Sequence, residues 1–258
     1  MIFTKKYFAF SKDGPPAGRL RADFGGPSRV ILSAFAVFLT SQLVAVFLIG
    51  AVLAILGKDI NILDQSAAAQ FVYILFAEAI VLLSVYWILR RAKLSLSAIG
   101  LGRRPAWRDL KLALGGIFAF YGLLIISIAA LTLLIPGFDA DAPQDVGFNF
   151  LSTPMDRIIA FVALVILPPI GEEILIRGYL FSGLRSRLRF LPAMLLTSAL
   201  FGAAHLATGV SGALWAAAVS TFVLSVVLVY LRERTGALYS PMMVHGFNNL
   251  VAFFIYIR

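Results

Sequence analysis

The chain has 258 residues, of which 60% are apolar and 14% charged, with a mean hydropathy of +0.93. A soluble domain carries about 25% charged and about 45–50% apolar residues, so this is a membrane composition, with no polar stretch long enough for a second domain. The basic residues behind the net charge of +9 fall in loops between apolar runs, which argues against a nucleic-acid partner, and the absence of cysteine excludes disulfides, iron–sulfur ligation and thiol catalysis.

In chain order, residues 1–29 read as a basic, flexible, cytoplasmic tail with Gly14-Pro15-Pro16 and Gly25-Gly26-Pro27, and 30–258 as one transmembrane domain. The first apolar run, from near Ile31, outlasts a signal-peptide core of roughly 7–15 residues and is predicted to be a retained spanning helix. Apolar stretches of spanning length, about 17–25 residues, fall near 30–56, 67–90, 110–135, 156–181, 190–208, 212–231 and 236–256. The fold class is therefore all-α: a polytopic membrane protein of about seven transmembrane helices, or eight if 178–190 adds a surface helix, enclosing a membrane-embedded site. Pro168-Pro169 predicts a kink or break in the fourth helix, because proline lacks the backbone donor and crowds the preceding turn.

Charge orients these helices. Lys5, Lys6, Lys12, Arg19, Arg21 and Arg29 precede the first, and Arg90, Arg91, Lys93, Arg103, Arg104, Arg108 and Lys111 lie between the second and third. Arg185, Arg187 and Arg189 follow the fourth, and Arg232 and Arg234 the sixth, whereas the alternate loops hold only Lys58 and Arg157 among several aspartates. With seven crossings every basic cluster shares one side, which predicts a cytoplasmic N-terminus in an integral, multi-pass protein of a prokaryotic plasma membrane. The same charges favour an anionic leaflet.

Six ionisable side chains are predicted inside the membrane: Glu78, Glu172, Glu173, Arg177, His205 and His245. Charges are costly there, so each is a candidate functional group. Glu173 and Arg177 are four apart, on one helical face within ion-pair reach; Glu172 is turned about 100° away and faces a cavity. Phe201 and His205 repeat that spacing, with the ring packed on the imidazole. So do His245 and Asn249, whose groups can donate hydrogen bonds to an oxyanion. Taken singly, each has a plainer account: a structural clamp, a packing histidine, a core phenylalanine, helix–helix glue. Their joint spacing favours one site. Glu78 has no partner at helical spacing and reads as a structural residue.

At these residues the sequence resembles the CPBP family of intramembrane proteases, also called the CAAX protease or Abi family. Its Glu-Glu-x-x-x-Arg, Phe-x-x-x-His and His-x-x-x-Asn motifs stand here, in order, as Glu172–Arg177, Phe201–His205 and His245–Asn249, within a region of about 150–256. The resemblance implies an intramembrane endopeptidase in which Glu172 and His205 activate a water. His245 and Asn249 would stabilise the oxyanion, while Glu173, Arg177 and Phe201 order the site. It implies a membrane-associated protein or peptide as substrate, with CAAX-type C-terminal processing as one branch. The metal stays open: Glu172, His205 and His245 are the candidates for a divalent ion such as zinc, yet the His-Glu-x-x-His helix of zinc proteases is absent.

Other readings use the same chain. Gly209-Val210-Ser211-Gly212 resembles the Gly-x-Ser-Gly of rhomboid serine proteases, with Ser211 and His245 as a dyad. That loop is predicted at the outer surface, away from His245, and a glycine-favoured turn accounts for it. A non-catalytic scaffold or bacteriocin-immunity-type protein would keep the glutamates as clamps. A proton-coupled carrier would use them as proton sites.

Overall fold

The computed structural model describes residues 23–62, 66–140, 148, 150–206 and 213–256. The tail residues 1–22 and the Gly209–Gly212 stretch with Ser211 lie outside the described residues. Seven principal helices occur among the described residues: α1 (Pro27–Ile55), α2 (Ala67–Arg91), α3 (Trp107–Leu134), α4 (Pro154–Arg185), α5 (Phe190–Ala203), α6 (Trp215–Thr235) and α7 (Tyr239–Tyr256). A single 3₁₀ turn, Leu96–Ile99, links α2 to α3.

Local signals set several starts. The Ser66 hydroxyl accepts from Ala69 N–H at 3.3 Å to open α2. Thr153 and Asp156 form a reciprocal capping box around Pro154, whose missing donor is harmless in the first turn.

Five helices, α1, α2, α3, α4 and α6, are long and apolar enough to cross a membrane. The expectation of seven crossings is supported for those five. Helix α5 has 14 residues, about 21 Å at about 1.5 Å per residue, short of a hydrocarbon core of about 30 Å. Helix α7 has 18 residues but carries Ser240, His245, Asn248 and Asn249. The 178–190 stretch adds no separate helix: α4 runs to Arg185 and a turn leads into α5.

Helix α6 is the most enclosed span, 56% of its apolar window being buried, and α3 the most peripheral, at 6%. One apolar cluster joins α1, α2, α4 and α5 through Val30, Val85, Leu89, Leu175, Leu184 and Ala193; another joins α3, α6 and α7 through Phe120, Leu228 and Val244. Helices α5 and α6 approach closely at Gly202, where an added Cβ would lie 2.8 Å from the Ala218 carbonyl oxygen. Small residues are how helices gain contact in lipid, where no hydrophobic drive brings them together.

The prolines do not break α4. The helix continues from Pro154 to Arg185, but with π-type turns at Val162–Ile166 and Glu173–Leu180. Pro168 offers no N–H to the Leu164 carbonyl four residues before it, and the widened turn relieves the ring's clash there. In place of the predicted kink or break, the helical pitch changes, in one stretch before the glutamates and in a second that begins at Glu173.

Candidate active site

Glu173 and Arg177 lie within the second π turn, and both side chains are fully buried, joined by Arg177 Nη1 donating to Glu173 Oε1 at 2.9 Å. The same oxygen accepts from His245 Nδ1 of α7, also at 2.9 Å. One carboxylate oxygen thereby ties α4 to α7 and sets the orientation of the imidazole. Because a carboxylate accepts, Nδ1 carries the proton and Nε2 is the ring's second nitrogen. That Nε2 stands 3.8 Å from Glu172 Oε2.

Glu172 differs from its neighbour in exposure. Its side chain is 32% accessible, against 0% for Glu173 and 5% for His245. The rotation read from the sequence therefore separates a sealed carboxylate from one that a small molecule can reach. Oε2 of each glutamate, and Nε and Nη2 of Arg177, are buried with no hydrogen-bond partner. Orphaned polar atoms are uncommon in folded proteins.

Phe201 is the meeting point. The Arg177 guanidinium carbon sits 4.2 Å from its ring centroid, the His205 ring 4.9 Å and the His245 ring 6.1 Å. Three helices thus bring their motif residues around one aromatic ring, and the cation over its face is stabilised by the ring quadrupole. His205 lies two residues beyond the end of α5, in the turn that follows it. Its backbone N–H bonds to Gly202 at 3.0 Å, which frees the Phe201 carbonyl to accept from His205 Nδ1 at 2.8 Å. A carbonyl can only accept, so Nδ1 is protonated and donates to Phe201.

Asn249 takes a position the spacing did not suggest. Its Nδ2 donates to the Leu164 carbonyl of α4 at 2.9 Å, the acceptor left without an α-helical donor by Pro168. An amide nitrogen has two hydrogens, so a second donor remains beside His245 on α7. Glu78 of α2, unpartnered by spacing on its own helix, reaches α4 instead. Its carboxyl occupies the space where Gly171 lacks a side chain. That contact joins two helices, and no periodicity within either one announces it.

The metal candidates do not group as ligands. Among the described residues no set of three or more His, Cys, Asp or Glu side chains is arranged to hold an ion, so Glu172, His205 and His245 do not fit a zinc site as they stand.

Apolar helices of spanning length packed with a cluster of buried carboxylate, imidazole and guanidinium groups define an integral membrane protein. Residues 154–251, less than half of the chain, match the family described as Type II CAAX prenyl endopeptidase Rce1-like. All three motifs fall within that match. Comparisons with curated proteins and with solved structures found no match.

Proposed function

We propose that this protein is an intramembrane endopeptidase that hydrolyses a peptide bond of a membrane-associated protein or peptide, with CAAX-type C-terminal processing as the branch its family description names. The observation that carries the reading is the assembly of Arg177, His205 and His245 around the Phe201 ring, with Glu172 accessible beside His245.

In the proposed reaction a water held by Glu172 and His205 Nε2 attacks the scissile carbonyl, and its proton passes to the Glu172 carboxylate. The carbonyl oxygen becomes an oxyanion, accepting hydrogen bonds from His245 Nε2 and the second N–H of Asn249. To donate from Nε2 while Nδ1 donates to Glu173, His245 must carry both protons, and the Glu173 carboxylate compensates that charge. The proton on Glu172 then moves to the amide nitrogen, the C–N bond breaks, and a carboxylate and an amine leave. Glu173 and Arg177 hold His245 in place. No step requires a metal.

The matching experiment compares protein termini in membranes of the native host for wild type, Glu172→Ala and His205→Ala. New termini present in wild type are expected to fall by at least about a hundredfold in both variants, the usual scale for losing a general base, while the protein still inserts. Termini unchanged in both variants would install the scaffold or immunity reading instead. Ser211→Ala is expected to leave the set intact.

A further inference from the structure

The Glu78 carboxyl has no role in the mechanism above, yet it is lodged against the catalytic turn. A Cβ added at Gly171 would lie 1.6 Å from Glu78 Oε2 and 2.8 Å from its Cδ, so any residue but glycine would evict the carboxyl. Gly171 precedes Glu172, so the Glu78 carboxyl lies against the residue next to the proposed base. Helix α2 packs on this part of α4.

A structural clamp would show its hydrogen bonds. Glu78 Oε2 is sealed from solvent with no hydrogen-bond partner, as is Glu172 Oε2 one residue from the notch. A buried polar atom left unpaired is destabilising, and glycine within a helix is less favourable than alanine. Two unfavourable choices meet at a single point. Both are explained if the pair of orphaned oxygens borders the space where the hydrolytic water sits.

We propose that Glu78 is a positioning residue of the proteolytic site, its carboxyl seated in the Gly171 notch so as to hold Glu172 and the attacking water in register. Glu172 then has a carboxyl neighbour from α2 and an imidazole neighbour from α7, which together limit where it can point. The inference rests on the proteolytic reading and adds a second helix to the machinery that orients the base.

The test uses the purified full chain in proteoliposomes with an internally quenched farnesylated CAAX-type peptide. Glu78→Gln keeps the shape and is expected to lower kcat by about tenfold to a hundredfold, the scale of a misplaced reacting group, with KM within about twofold. Its thermal midpoint should match wild type. Gly171→Ala is expected to lower both kcat and the midpoint. The double variant Gly171→Ala/Glu78→Ala removes the clash, so the midpoint should recover while kcat stays low. Wild-type kcat in Glu78→Gln, or recovery of kcat in the double variant, overturns the positioning role while leaving proteolysis standing, provided Glu172→Ala is inactive. Equal turnover by wild type and Glu172→Ala would overturn the proteolytic reading and this inference together.

Discussion

Glu173 Oε1 accepts from both Arg177 and His245, all within a shell closed to solvent. Desolvating such a pair is costly, and the hydrogen bonds recover that cost only while both partners remain. Arg177→Met leaves Glu173 ionised without its cation and should lower unfolding stability in detergent by about 3–5 kcal/mol. The double variant Glu173→Gln/Arg177→Met should regain most of it, since a glutamine oxygen still accepts from His245 Nδ1. A double variant as unstable as the single one would mean the arginine acts through packing on Phe201 alone. The i, i+4 spacing made this pair legible from the sequence. The claim of His245 on the same oxygen was not, because it comes from another helix, 72 residues along the chain.

The working elements are irregular ones. Helix α4 carries two π-type stretches, α5 has only 14 residues, and α7 trades apolar residues for His245 and Asn249. The same departures weaken α5 and α7 as spans: shortness lets His205 sit at the tip of α5, and polarity lets α7 line the site. Pro168 and Asn249 form one device, the proline removing a donor from Leu164 and the asparagine replacing it across helices. Asn249→Leu should therefore destabilise the protein by about 1–3 kcal/mol as well as reduce turnover. Adding Pro168→Ala restores an N–H in reach of Leu164, so stability should recover in thermal unfolding while activity remains low. If activity also returned, Asn249 would be a brace between helices and nothing more.

At the scale of the molecule, the basic ends gather together. Asp23 before α1 pairs with Arg187 after α4 at 2.9 Å, Arg185 with Glu233 of α6 at 3.1 Å, and Leu238 N–H before α7 bonds to the Gly100 carbonyl between α2 and α3. Arg103 chelates Asp109 in the first turn of α3, which raises the guanidinium pKa through that hydrogen bond. The loops that charge counting assigned to one side of the membrane meet at one end of the bundle. A fluorescent reporter that matures only in the cytoplasm should light up when fused to the N-terminus and stay dark when fused to the C-terminus. Fluorescence from both ends would mean an even number of crossings.

Composition and apolar length determined that this is a helical membrane protein, because hydrocarbon requires the backbone to be satisfied internally and uninterrupted apolar runs of spanning length do so as helices. The positions of the seven helices and the three spaced motifs could be read for a related reason: helical periodicity puts residues four apart on one face. Tertiary structure decided what lies between helices. It placed Phe201 among Arg177, His205 and His245, gave Asn249 a backbone acceptor on α4, and set Glu78 against Gly171. Each of those contacts depends on which faces pack and how closely, and no single helix encodes that.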